Sequence, residues 1–332
     1  MLSPVLGGTP LPGYTSRPMQ SEGAVSATKS VRAACSLCGQ ARTRSVFPEA
    51  LPWVVECTQC GLRRADPQPT DAELAAIYDE HYYEQFGFVE GEHTADQGLA
   101  RTKRATYASL LSAARPHFGL SGGGKRLLDV GCGLGFSLLA ARDAGFDAVG
   151  LDPLAPTDPA ARPGRKVLRG SIETFHTDTE PFDVVSMVDV IEHVRDPVAT
   201  FRAVDRLLVP RGLLICATND CSSRGAQWLG ARWVHYHRAH LFFFTADTLA
   251  KTAEAAGFEV LGVDVAKRIY NLEYVASILA RGTNFELAAR VSRGLLGAVP
   301  GPLLRAPWPA LPEGIVLVAR SKARTNQATR AR

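Results

Sequence analysis

The stretch Arg126-Leu127-Leu128-Asp129-Val130-Gly131-Cys132-Gly133-Leu134-Gly135-Phe136 decides the fold. Its first five residues are a short apolar run and read as a buried strand. Its last residue opens a helical pattern, Phe136–Ala144, which Gly145 ends. Between them, Gly131 allows a tight turn and Gly133 lets a ligand approach the backbone closely. The next strand-like run is Ala148–Leu151, and Asp152 stands at its end. A carboxylate about 20 residues after such a turn can accept both hydroxyls of a ribose, so a nucleoside-containing ligand is implied. The turn departs from the dinucleotide pattern G-x-G-x-x-G/A: the third glycine follows after one residue, and Phe136 fills the Gly/Ala slot. It also begins beside an acid, Asp129, which suits a cationic ammonium better than a pyrophosphate.

The strand–helix rhythm continues downstream. Val167–Leu168, Phe182–Val188, Leu213–Ala217, Phe258–Val265 and Ile315–Ala319 read as strands. Pro197–Leu208 reads as a helix stopped by Pro210 and Gly212, and Ala246–Ala256 as one ended by Gly257. Apolar strands alternating with helices predict an α/β fold with a parallel, doubly wound sheet covered on both faces. Upstream, residues 70–120 hold two amphipathic helices. Thr70 or Asp71 caps the first, with Glu73 placed for a capping box before Leu74, Ile77 and Tyr78. The second spans 99–118, with Tyr107, Leu110, Leu111 and Phe118 on its apolar face, and Ser121-Gly122-Gly123-Gly124 breaks it. Residues 1–30, rich in Gly, Pro, Ser and Thr, read as a disordered leader. Residues 270–312, with a Pro-rich end, read as a helical insertion.

At about 150 residues per domain, 332 residues suggest two domains. With 46% hydrophobic and 21% charged residues the chain is neither a disordered polymer, a fibre nor a coiled coil. It has no apolar run of 18 residues, so no membrane-spanning helix is expected. A net charge of +4, from 37 bases and 33 acids, is too weak to argue for nucleic acid. The N-terminus lacks a basic region followed by an apolar stretch, so no signal peptide is read, and a reducing, cytoplasmic setting fits best.

Asp129-Val130-Gly131-Cys132-Gly133-Leu134-Gly135 resembles motif I of class I S-adenosylmethionine-dependent methyltransferases. Phe182-Asp183-Val184-Val185 and Val190-Ile191-Glu192-His193-Val194-Arg195-Asp196-Pro197 resemble the block that follows strand four in that family. His240-Leu241-Phe242-Phe243-Phe244-Thr245 resembles the segment after strand five of its ubiquinone-biosynthesis-like, small-molecule members. The resemblance covers residues 70–320 and implies a Rossmann-like, seven-stranded methyltransferase sheet over 121–323. S-adenosylmethionine carries the ammonium and the ribose anticipated above and has no phosphate. By resemblance, Asp129 and the turn glycines Gly131, Gly133 and Gly135 help hold its methionine end, and Asp152 binds its ribose. The pair Ser171-Ile172 then frames the adenine, though the family commonly has Asp where Ser171 stands. An aromatic of the N-terminal segment, with Tyr83 the choice, packs on the cofactor.

Seven cysteines include two Cys-x-x-Cys-Gly units, Cys35/Cys38 and Cys57/Cys60, separated by 18 residues. This spacing is that of a four-thiolate metal site. Each pair can place two sulfurs on one ion at about 2.3 Å, which closes a tetrahedron and leaves no open position. Iron in a rubredoxin-like site is the alternative, but with no evident redox role zinc is the expected metal and its role structural, so residues 31–66 read as a small zinc ribbon too short to fold on core burial alone.

Catalytic candidates cluster after the fourth strand of the sheet, since open α/β sheets bind ligands beyond the carboxyl ends of their strands. His193, which titrates near neutral pH, is the first candidate base. Asp189 is a candidate contact to donor or acceptor. The aromatic-rich stretch Trp228–Phe244, within a lid over 221–244, is expected to wall a flat or apolar small-molecule acceptor. It carries His237 and His235 as second candidate bases and His240 as a structural or substrate-contacting residue. Methylation of oxygen is favoured over carbon or nitrogen. Two rival readings are an RNA methyltransferase using Arg42, Arg44, Arg63 and Arg64 of the ribbon, and a non-enzymatic protein-binding scaffold.

Overall fold

The computed structural model describes residues 34–78, 98–118, 123–155, 164–176, 180–270, 303, 308–309 and 313–322. The leader over 1–30, Tyr83 and most of the insertion over 270–312 lie outside the described residues.

Three short antiparallel strands open the chain: β1 (Thr43–Phe47), β2 (Leu51–Cys57) and β3 (Arg63–Ala65). Helix α1 (Asp71–Ile77) starts with the expected capping box: the Glu73 amide donates to Thr70 Oγ1 at 3.2 Å, and the Thr70 amide to Glu73 Oε2 at 2.6 Å. Helix α2 (Gly98–Phe118) leads into β4 (Arg126–Val130), α3 (Phe136–Asp143), β5 (Asp147–Asp152), β6 (Val167–Arg169) and β7 (Phe182–Val188). There follow α4 (Pro197–Leu207), β8 (Leu208–Asn219), α5 (Arg224–Leu229), β9 (Phe242–Phe243), α6 (Ala246–Ala255) and β10 (Phe258–Ala266). A small pair, β11 (Ile269–Tyr270) and β12 (Trp308–Pro309), precedes β13 (Gly314–Ser321).

Seven strands form the central sheet in the order β10-β13-β8-β7-β4-β5-β6. Period-two alternation buries both faces. Leu128, Val130, Val185, Met187, Leu214 and Cys216 pack on one side with Phe201 and Val204 of α4 and Leu249 of α6. Leu127, Val184, Leu213 and Ile215 pack on the other with Tyr107, Leu110 and Leu111 of α2 and Leu138 of α3. Each such fully buried aliphatic or aromatic side chain contributes about 1.5–3 kcal/mol.

The sheet is not parallel throughout. The pairs β4–β5, β5–β6, β4–β7 and β7–β8 are parallel, whereas β13 runs antiparallel to both β8 and β10. The apolar run Ile315–Ala319 reflects burial on both faces, which is the same for either strand direction. Strand β8 also starts earlier than expected. Leu208 already pairs with Phe182, and Pro210 and Gly212 fall in an irregularity before Leu213 pairs with Val184.

From β4 the chain runs outward through β5 and β6, then returns to β7 on the other flank of β4. The carboxyl ends of β4 and β7 therefore border the crevice where such sheets bind ligands. A second sheet, β1-β2-β3-β9, takes its last strand from beyond β8. Arg63 pairs with Phe243 and Arg64 with Phe242, so the cysteine-bearing segment is stitched to the main domain.

Candidate active site

The turn after β4 needs its glycines. Gly131, Gly133 and Gly135 all have positive φ (70°, 55° and 77°), which costs other residues about 1–2 kcal/mol each. A Cβ on Gly131 would lie 2.3 Å from Val190 Cγ2, so this turn and the loop after β7 are in direct contact. Asp152, buried at the end of β5, accepts from the Gly133 amide (2.8 Å) through Oδ2 and from the Leu154 amide (2.8 Å) through Oδ1. The carboxylate thus fixes the turn from the end of the neighbouring strand. Asp129 is also buried. It accepts from Ser137 Oγ and Ser186 Oγ, and Ser186 in turn is bonded to the Tyr107 hydroxyl. Burial pushes the Asp129 carboxyl up to about 6, against the hydroxyl bonds that favour its charge. Ile172 is buried in the core, and Ser171 beside it exchanges a hydroxyl contact with Thr174 at 3.2 Å. The Gly170 amide donates to the Asp152 carbonyl at 3.2 Å, so Ser171 follows directly on a link to the end of β5.

Across the crevice, Asp189 follows β7 with φ at 58°, an unusual conformation for a side-chain-bearing residue. Its carboxylate is ion-paired to Arg268 Nη2 at 2.5 Å. Burial opposes its charge, but the Arg268 guanidinium and Lys103 outweigh that and hold Asp189 below the usual range. Glu192 is 2% exposed, and burial with Asp189 nearby pushes its carboxyl up to about 8. His193 Nδ1 lies 2.9 Å from the Ala239 carbonyl and 2.6 Å from the Tyr78 hydroxyl. His240 donates through Nδ1 to the His235 carbonyl at 2.9 Å. A carbonyl can only accept, so His240 carries its proton on Nδ1, whereas His193 Nδ1 is shared between a carbonyl and a hydroxyl that can donate to it. Burial pushes His193 below its ordinary value, His235 to about 4 and His237 to about 3, so the cluster is uncharged at neutral pH.

His193 and His240 meet edge to face at 4.6 Å, and His237 lies against His240 at 3.8 Å. One donor atom from each of Glu192, His193 and His240 lies within 4.8 Å of the others, which makes them a three-donor group able to converge on one cation. A cavity of about 10 Å³, room for one water, is bordered by Glu192, Asn219, Trp233, His240, Phe242 and Phe243. Three buried atoms beside it, Glu192 Oε2, Asn219 Oδ1 and Trp233 Nε1, have no hydrogen-bond partner among the described residues. The pocket is thus polar at its floor.

The aromatics expected to wall the acceptor are largely consumed by packing. Phe242 and Phe244 lie in the main core, and Trp233, Tyr236 and Phe243 join Val54 and Trp53 of the ribbon. Trp228, by contrast, is 85% exposed. Sequence reasoning passed over Asn219 and Arg268, and it weighed Tyr78 only as a neighbour of Tyr83 in the N-terminal segment, not as a partner of His193. Tyr78 is 115 residues from His193, and only the folded chain brings them together.

The four cysteines of the ribbon converge. Cys35 and Cys60 sulfurs are 3.6 Å apart, Cys38 and Cys57 sulfurs 3.5 Å apart, and all four lie within 4.8 Å of one another. A tetrahedron with metal–sulfur bonds of about 2.3 Å has edges of about 3.8 Å, so the donor set fits zinc. Of the ribbon arginines, Arg44 and Arg63 pair with Glu56 (2.6 and 2.9 Å), and Arg64 is buried beside Asp66 (3.2 Å). Arg63 and Arg64 are thus engaged within the fold, while Arg42 and Arg44 stay exposed.

A family profile described as a methyltransferase domain matches residues 99–263. The ubiquinone biosynthesis O-methyltransferase of Dinoroseobacter shibae is 31% identical over 191 residues, 52% of this chain and 73% of that protein. Those of Cereibacter sphaeroides (strain ATCC 17025 / ATH 2.4.3) and Ruegeria pomeroyi are 36% and 35% identical over 165 and 164 residues. In these two the match covers 45% of this chain and 64% of the relative, just under two thirds of its length. The left-handed glycine turn, the acid at the end of β5 and this similarity agree: the chain belongs to the class I S-adenosylmethionine-dependent methyltransferases.

Proposed function

We propose that the protein transfers a methyl group from S-adenosylmethionine to a hydroxyl of a small-molecule acceptor. The observation that supports this reading is the close approach of the Gly131 turn, whose Gly133 amide donates to Asp152, to Val190 in the loop that carries His193. S-adenosylmethionine, when bound, supplies an electrophilic methyl on a sulfonium. Asp152 would hold the ribose, the Asp129 side of the turn the methionine end, and Ser171-Ile172 the adenine. His193, held uncharged by burial, would take the acceptor's hydroxyl proton as that oxygen becomes a nucleophile. His237 is the second candidate base. Asp189, tied to Arg268, would orient the acceptor's polar end. The Glu192 and Asn219 atoms without a partner among the described residues favour an acceptor with more than one polar group at that end. Cys35, Cys38, Cys57 and Cys60 would hold one structural zinc, with their thiols kept reduced in a cytoplasmic setting.

The test is formation of S-adenosylhomocysteine by the purified chain with hydroxylated aromatic acceptors, alongside His193→Gln. Acceptor-dependent turnover reduced by about 10²–10⁴-fold in the variant is expected for a lost general base. Turnover that is equal in both proteins refutes the assignment of His193.

A further inference from the structure

We propose that the four-cysteine ribbon is a positioning element for the acceptor side of the site, holding His193 and His240 in register. This rests on the reading above, in which those histidines face the acceptor.

A hydrogen-bond ladder leads from the ribbon into the site. The Ala65 amide, at the end of β3, donates to the Leu241 carbonyl at 2.9 Å. The Leu241 amide donates to the Glu192 carbonyl at 2.7 Å, and the Phe242 amide to the same oxygen at 3.2 Å. The next residues along the two loops are His240 and His193. Two arginines reinforce the ladder from the loops themselves. Arg195 donates to the Pro69 carbonyl (2.5 Å) and pairs with Asp71 (2.6 Å). Arg238 donates to the Pro67 carbonyl (3.4 Å) and stacks over Trp53 of β2 at 5.1 Å.

The ladder starts at the metal knuckle. The Gly61 amide donates to the Cys57 carbonyl (2.9 Å) and the Cys57 amide to the Leu62 carbonyl (3.0 Å), so the Cys57–Cys60 turn directly sets the entry to β3. Strand β3 has three residues and its partner β9 has two. Strands this short do not hold register by themselves. A ribbon of this size also cannot supply its own core. Cys35, Cys57 and Leu62 instead join the core that contains Ile191, Leu241 and Phe242. With the thiolates unclamped, β3 loses its anchor, and the loops carrying His193 and His240 lose theirs.

The experiment uses the full chain, zinc-loaded, chelator-stripped, as Cys57→Ser/Cys60→Ser, and as Arg195→Gln/Arg238→Gln, which keeps all four cysteines. Diethylpyrocarbonate modification of His193 and His240 is read residue by residue by mass spectrometry, and S-adenosylhomocysteine affinity by calorimetry. Stripping and the arginine pair should each raise modification of both histidines about fivefold or more, as expected for local opening. The Kd for S-adenosylhomocysteine should move by less than about threefold, since its contacts lie on the β4 and β5 turns. Unchanged labelling after stripping and in the arginine variant overturns the proposal. Labelling that rises only together with loss of S-adenosylhomocysteine binding also overturns it, since the ribbon would then support the whole fold. Failure of the zinc-loaded wild type to bind S-adenosylhomocysteine refutes the methyltransferase reading and leaves the labelling arm to judge the linkage.

Discussion

Gly131→Ala is the substitution whose consequence the structure defines most closely. Two costs arise, and they are separable. The backbone at this position has φ of 70°, which an alanine adopts at about 1–2 kcal/mol. The new methyl would also stand 2.3 Å from Val190 Cγ2, inside contact distance, so the valine or its loop must move. Overpacking of this kind costs about 1–3 kcal/mol. The total loss of stability is then about 2–5 kcal/mol, with S-adenosylhomocysteine affinity falling more than about tenfold as the turn shifts. Val190→Ala removes the atom that clashes but leaves the backbone strain. In a double-mutant cycle by urea unfolding, the two substitutions should show a favourable interaction of about 1–3 kcal/mol. The double variant should also regain part of the lost affinity. Costs that add to within about 0.5 kcal/mol would refute the claim that the β4 turn and the β7 loop touch through this pair.

Other outcomes follow from the same geometry. The folded-state pKa of Asp129 is raised from 3.8 to about 6, so its contribution to stability is complete below 3.8 and is lost as pH rises through 6. Relative to Asp129→Asn, the wild type should therefore lose on the order of 2 kcal/mol between pH 4.5 and 7 in urea titrations, and parallel pH profiles would contradict it. Burial lowers His193, so the acid limb of the pH–rate profile should fall below 6.5; a limb at or above that value argues against this base. The purified chain should carry one zinc per molecule by elemental analysis, and Cys60→Ser should abolish it and lower the melting temperature.

The β4 turn was legible because a left-handed glycine run between an apolar strand and a helix has few alternatives. The Thr70–Glu73 capping box was legible because capping is local chemistry. The cysteine spacing announced four convergent sulfurs for the same reason. What lay hidden is non-local. β9 is a two-residue strand inside an aromatic run, and nothing in Phe242-Phe243 says that its partner is Arg63-Arg64, nearly two hundred residues earlier. The aromatic stretch therefore read as a wall for an acceptor, whereas most of it seals the ribbon to the domain. The Tyr78–His193 contact and the Asp189–Arg268 ion pair join residues far apart in sequence. The direction of β13 was hidden because a strand buried on both faces has the same apolar pattern either way.

The central claim is that the β4 turn and Asp152 form a cofactor site for S-adenosylmethionine. Calorimetric titration of the zinc-loaded chain with S-adenosylhomocysteine, in parallel with Asp152→Ala, tests it most directly. The account predicts saturable binding in the wild type, about one ligand per chain, weakened at least tenfold in the variant. Equal affinity in both proteins, or no binding by a well-folded wild type, would contradict it.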